Sequence, residues 1–244
     1  DFYGELMRYL FIFLFSATLL ADNEIYVDQS GSNASIDLEQ LGSTNLIGGT
    51  SASSGSMTAL DLDGATMVLD INQIGSSNIF RSDAIDGGNF TGFFEFDGDS
   101  NVWDLLMNST GLSSTDYVNL NIDVTGSSNT ADIKIGEDDD ASYLDLDWII
   151  TGDSNDLDFD IDYEYATNYM DINGSTNTVN FTGSGYGASS SDAGYFYLDL
   201  DGSGNTFNID QTSTLARDWL KIISNTSNSN ICVVQSDGGT STSC

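Results

Sequence analysis

Apolar and polar residues alternate along most of this chain, and the alternation is phased on small turns. The positions four and two residues before Gly42 hold Leu38 and Gln40; before Gly75 they hold Ile71 and Gln73, and before Gly98, Phe94 and Phe96. The same count gives Ile122 and Val124, Trp148 and Ile150, Met170 and Ile172, and Leu198 and Leu200 before the next four glycines. Counting forward by two and four from the asparagine that ends the turn, starting at the third clear copy, gives Trp103 and Leu105, Ala131 and Ile133, Leu157 and Phe159, Val179 and Phe181, and Phe207 and Ile209. The residues between them are Asp, Asn or Glu almost throughout. Period two on both sides of a fixed turn predicts strand, turn, strand, each strand with one buried face.

The turn is Gly-x-x-Asn. It joins Gly42 to Asn45, Gly75 to Asn78, Gly98 to Asn101, Gly126 to Asn129, Gly152 to Asn155, Gly174 to Asn177 and Gly202 to Asn205. A first copy, Gly31 to Asn33, is one residue shorter, and a last copy, Ser227-Asn228-Ser229-Asn230, is degenerate. Gly and Asn tolerate positive φ, so the element reads as turn chemistry. The seven clear glycines recur every 22 to 33 residues, too short for a βαβ unit and suited to one coil of a solenoid. The pattern therefore predicts an all-β fold, a β-solenoid of about eight strand–arc–strand coils, with length variation confined to the return loops, where insertion is cheap.

The opening segment resembles the curlin repeat of bacterial curli fibres. That repeat runs Gln, four residues, Asn, five residues, Gln, with Gly two places after the first Gln. Gln40, Gly42 and Asn45 match its first half, as do Gln73, Gly75 and Asn78, and Gln29 and Gln40 keep the eleven-residue separation. Later coils retain Gly and Asn but replace the inward Gln by Phe96, Val124, Ile150, Ile172 and Leu200. The resemblance implies an exported subunit with an amyloid-like β-solenoid fold. It also implies a role in fibres, adhesion or biofilm, with further copies or related fibre subunits as partners. The alternative is a monomeric acidic binding module that grips glycan or Ca²⁺ on a viral or cell-surface appendage.

Composition sharpens this picture. The 244 residues contain 38 acidic and 5 basic side chains, no His and no Pro. Such a chain repels nucleic acid and anionic lipid, whose binding depends on Lys and Arg. Without His there is no Ser-His-Asp or Cys-His nucleophile, and no phosphate loop is present, so an enzyme is not expected. The absence of Pro suits a chain paired along its strands. Residues 7–21 read as an export signal with an apolar centre over residues 9–20, too short to span a bilayer. Residues 1–6 read as an upstream extension, and residues 22–244 as a single domain with no membrane insertion after cleavage. For an exported chain, Cys232 and Cys244 are candidates for a disulfide, with two free thiols as the alternative.

The outward positions predict rows of Asp, among them Asp145, Asp147, Asp156, Asp158, Asp160 and Asp162, continued by Asp171, Asp199 and Asp201. Neighbouring carboxylates in stacked strands repel by roughly 1 kcal/mol in water, while each buried Leu, Ile or Phe contributes roughly 1.5–3 kcal/mol. The fold therefore tolerates this face. Three readings of it stand side by side. It is a solvated surface that discourages aggregation, a cation-binding face, or a pair of catalytic carboxylates. Asp138, Asp139 and Asp140, with Asp158 and Asp160, are the candidate Ca²⁺ ligands; no other cofactor is expected. Tyr143, Tyr163, Tyr165, Tyr169, Tyr195 and Tyr197 cluster near strand starts, as coil-edge caps or as a strip for a surface glycan.

Overall fold

A computed structural model describes residues 24–48, 60–107, 117–136, 143–162, 166–185, 194–213 and 219–237. These form a β-solenoid in which every strand pairing is parallel and no helix occurs among the described residues. One stack contains β3 (Ala34–Leu41), the later part of β5 (Leu60–Ile74), the later part of β6 (Ile79–Asp97), and β8 (Tyr117–Thr125). It continues through β10 (Leu144–Thr151), β12 (Ala166–Asn173), β14 (Tyr195–Ser203) and β16 (Trp219–Ser227). The second stack runs from β1 (Glu24–Ile25) through β4 (Leu46–Ile47), the start of β6, β7 (Val102–Met107) and β9 (Thr130–Ile135). It ends with β11 (Asp156–Asp162), β13 (Thr178–Gly185), β15 (Thr206–Ser213) and β17 (Asn230–Asp237). The short β2 (Asp28–Ser30) lies on the first residues of β5.

The solenoid comprises about six turns rather than the eight coils expected. Six arcs, at Gly75, Gly98, Gly126, Gly152, Gly174 and Gly202, have a neighbouring coil on both sides. The segments at either end are partial coils. β4 has only two residues, and β16 and β17 are covered on one edge only among the described residues. The shortened first copy is also corrected. Gly31 lies opposite Asp63 and Gly64 inside β5, with its N–H donating to the Asp63 carbonyl, so Gly31 to Asn33 is a bend on the return side of the coil and no arc. A three-residue element cannot reproduce the four-residue arc, and its flanking strands pair with a different part of the next coil.

Between the stacks lies one continuous apolar core. Trp103 and Phe96 stack at 4.3 Å, Trp148 meets Phe159 edge-on at 4.5 Å, and Phe181 meets Phe196 at 4.4 Å. These contacts join the two stacks, because no coil can bury its own face without the opposite strand and the neighbouring coils. Among the described residues no helix is long and apolar enough to cross a membrane.

One inward position breaks the pattern. Asn168 is 1% exposed, sits between Leu146 and Phe196, and neither its Oδ1 nor its Nδ2 has a hydrogen-bond partner. Burying an amide unpaired costs about 1–3 kcal/mol in proteins. Asn168→Leu is therefore expected to raise stability by about 2 kcal/mol, read as a higher urea midpoint with an unchanged slope.

Candidate functional site

The arcs are built by a ladder. The backbone N–H of each ladder asparagine donates to the side-chain Oδ1 of the asparagine in the next coil. The series runs Asn45 to Asn78, Asn101, Asn129, Asn155, Asn177 and Asn205, at 2.8–3.0 Å. Asn205 N–H ends on the Ser229 hydroxyl at 3.1 Å, which explains why the degenerate last copy still closes the series. Five side-chain amides donate to arc carbonyls: Asn78 to Gly75 and Asn101 to Gly98 within a coil, Asn155 to Gly126, Asn177 to Gly152 and Asn205 to Gly174 between coils, whereas the Asn129 amide nitrogen has no partner among the described residues. Positive φ falls on most arc glycines as expected, but not on the asparagines. It is carried by the arc glycine, +115° at Gly42 and +142° at Gly152, and by the residue before the asparagine, at 59–61° from Thr44 to Thr176. The asparagines are thus buried ladder residues, and their predicted role as positive-φ turn formers is replaced by a hydrogen-bonding one.

Of the inward glutamines, Gln40 and Gln73 stack as predicted, with Gln73 Nε2 donating to Gln40 Oε1 at 2.8 Å. Gln29 lies in the same coil as Gln40, opposite Leu62, and does not extend the ladder. A second pair was not anticipated. Gln235 Nε2 donates to Gln211 Oε1 at 3.0 Å, at the far end of the second stack. Its signal was present in the strand register: both residues continue the inward alternation from Phe207 and Ile231.

On the outer face the Asp rows are shorter than expected. Asp104, Asp132 and Asp158 stack consecutively. The row begins at Arg81, whose Nε lies 2.7 Å from Asp104, and it is followed by Asn180, whose amide donates to Asp158. Asp160 sits between Lys134 and Thr182, and Asp171 aligns with Ile149 rather than Asp147. Interposed cations and amides relieve much of the repulsion that a continuous carboxylate row would carry. Among the described residues no group of three His, Cys, Asp or Glu side chains is placed to hold a metal ion. Asp138, Asp139 and Asp140 lie outside the described residues. Cys232 is disulfide-bonded, and Cys244 likewise lies outside them.

Three carboxyls titrate above their ordinary value of 3.8. Asp132 is raised by desolvation and by Asp104, Asp158 and Asp160, against an opposing pull from Lys134; Asp147 by desolvation and Asp145; Asp171 by desolvation and Asp199, Asp201 and Asp147. The folded chain therefore binds these protons more tightly than the unfolded one. Their unfavourable contribution is fully present above the folded pKa values and is relieved as pH falls through them, with the relief complete below 3.8. The thermal midpoint is expected to rise on acidification from neutral pH towards that value, the reverse of common acid denaturation. Substituting Asn at Asp132, Asp147 and Asp171 together should flatten the profile.

The tyrosine strip is a groove. Strand alternation sets Tyr195 and Trp219 along one wall and Tyr169, Tyr197 and Lys221 along the other, over a floor of strand backbone, enclosing about 460 Å³. Tyr169 and Tyr197 stack at 5.1 Å, Tyr195 and Trp219 at 6.1 Å, and the Lys221 ammonium sits 4.7 Å from the Tyr197 ring centre. Tyr143 belongs to a separate pair with Tyr117, stacked at 5.4 Å, while Tyr163 and Tyr165 lie outside the described residues.

The two ends of the solenoid present core side chains at their rims. Ile36 and Leu38 on β3, and Leu220, Ile222 and Ile231 on β16 and β17, pack against the core but are only partly buried. The inward Val233 is exposed. Compared with known proteins, the chain matches no family model, no curated protein and no solved structure.

Proposed function

We propose that this chain is an exported structural and adhesive protein, a curli-like fibre subunit or fibre-associated component, that acts by coil-on-coil β-stacking. The observation that carries the reading is the pair of end coils. Each combines a strand edge unpaired among the described residues with partly exposed core side chains. Such an edge is a template for another chain, and a head-to-tail contact that does not close on itself generates a filament. The interior supplies the repeat to be continued: parallel, in-register strands, an Asn ladder and a Gln ladder. The acidic outer face keeps finished filaments apart and directs pairing to the ends. The test is incubation of the purified chain, followed by sedimentation and electron microscopy. Filaments that seed further growth are expected, and a lasting monomer counts against the reading. Thioflavin fluorescence alone does not discriminate, because the aromatic groove already offers a single chain a slot for a planar cationic dye.

That groove favours a second reading, a monomeric module that binds a glycan. Trp219 is 53% exposed and offers a ring for sugar stacking, and Lys221 offers a hydrogen-bond donor beside it. Loss of glycan-array binding in Trp219→Ala, with the monomer intact, would mark this reading. For Ca²⁺, the corresponding observation is a rise in melting temperature that Mg²⁺ does not reproduce.

A further inference from the structure

We propose that β16 and β17 of one copy and β3 and β4 of the next form a joint of fixed register, and that β1 occupies the acceptor edge of that joint until the incoming copy displaces it. The proposal rests on the fibre-subunit reading and specifies its contact.

The register follows from tracing columns through the stack. The column that starts at Asp37 passes through Asp70, Tyr169 and Tyr197 and ends at Lys221. The inward columns of Ile36 and Leu38 end at Leu220 and Ile222. If β3 of a second copy continues beneath β16 in the same register, Asp37 faces Lys221 across one strand spacing, roughly 4.8 Å. Ile36 and Leu38 then cover Leu220 and Ile222. The charge match is specific to this end. Of the cations among the described residues, Arg81 pairs with Asp104 and Lys134 with Asp132, while Lys221 makes no ion pair there and rests on Tyr197. In a chain of net charge −33, an unpaired cation on the last coil opposite a carboxylate on the first favours one docking order over the rest of the acidic surface.

The second stack supplies the exchange. The columns of Leu46 and Ile47 end at Asn230 and Ile231, so the same joint places Asn230 and Ile231 against Leu46 and Ile47 of the second copy. That edge is already taken within each copy, because Glu24 pairs with Leu46 and Ile25 with Ile47. One strand edge accepts one partner. The incoming strand matches what it replaces: Ile231 takes the inward place of Ile25, and the neutral Asn230 takes the place of Glu24, removing a negative charge. β1 has two residues and β17 has eight, so the exchange trades a short pairing for a strand anchored in a full stack.

The experiment measures filament growth of the full chain by light scattering and sedimentation, seeded with its own fragments. Lys221→Asp and Asp37→Lys are each expected to slow growth about tenfold, roughly the 1.4 kcal/mol of turning an attraction into a repulsion. The swapped double variant K221D/D37K is expected to recover growth. Because it carries both changes, its recovery also shows that neither prevents folding. Ile25→Asp, which weakens the hold of β1 on β4, is expected to speed growth several-fold. Filaments that form but ignore the single substitutions, or a double variant that stays slow, overturn this joint and leave the subunit reading standing. A wild-type chain and an Ile25→Asp variant that both remain monomeric overturn the joint and the subunit reading together.

Discussion

Gly152→Ala is expected to destabilise the solenoid by roughly 5 kcal/mol, the scale reached only when a substitution breaks backbone packing itself. A Cβ at this position would overlap the carbonyl oxygen of Gly126 in the coil above, and the residue sits at φ +142°, which L side chains rarely adopt. The obstacle is backbone against backbone, so no rotamer change relieves it. The two coils would have to separate at the arc, breaking the Gly126 N–H bond to Thr151 and the Ser128 N–H bond to Asp153 that hold them in register. Domains of ordinary stability hold only about 5–15 kcal/mol, so the variant is expected to unfold or to split into two half-solenoids. Gly204→Ala is the control. It lies at φ +70°, the place that Ser or Thr fills in other coils, and the nearest atom to an added Cβ is Thr176 Cγ2 at 3.5 Å. It should cost about 1 kcal/mol, the ordinary price of a left-handed residue. Urea unfolding of the two variants side by side separates a steric arc requirement from a general preference for glycine.

Much of this architecture is legible because the phasing on the arc glycines carries register as well as periodicity. Trp148 and Ile150, or Leu157 and Phe159, can be placed inward from their distance to the turn, and all four are buried. The failures have separate causes. The count of coils ran high because an arc in the sequence does not reveal whether both of its neighbours exist; β4 is too short and β16 too exposed to complete a turn. Gly31 to Asn33 misled by local likeness, although its missing residue argued against an arc. The Asp rows were over-extended although the spacing was readable: Asp147 stands five residues before its glycine and Asp171 three before its own, so they cannot share a column. The asparagine ladder is different. Its partners are 22 to 33 residues apart, beyond any local pattern. One signal was nevertheless available. The two middle residues of the arc vary among Ser, Asp, Thr and Gly, whereas the asparagine does not vary in the seven clear copies. A turn position alone would have accepted Gly or Asp, while a buried position that accepts the N–H of the preceding ladder asparagine and, in most coils, donates to an arc carbonyl does not.

Asn177→Ala tests that requirement. Its Oδ1 accepts from the buried Asn155 N–H at 2.9 Å and its Nδ2 donates to the part-buried Gly152 carbonyl at 3.0 Å, and Asn177 itself is buried although the rest of the arc is not. Truncation leaves a donor and an acceptor unsatisfied at about 1–3 kcal/mol each, so a loss of about 4 kcal/mol is expected. The site has a sharper variant. Asn177→Asp keeps the acceptor for Asn155 but, when ionised, turns a carboxylate oxygen towards the Gly152 carbonyl in a buried and acidic setting. Desolvation and that carbonyl both raise the pKa of such a carboxyl. On protonation its O–H can donate where Nδ2 did. Asn177→Asp should therefore be about as damaged as Asn177→Ala at neutral pH and recover on acidification, whereas Asn177→Ala should only follow the shallow profile of the wild type. Equal pH profiles for the two variants would show that the asparagine fills space in the arc without bonding across it. A selective recovery of the Asp variant would show that the coil of Asn177 is held to the coil of Gly152 through the proton donated at this one position.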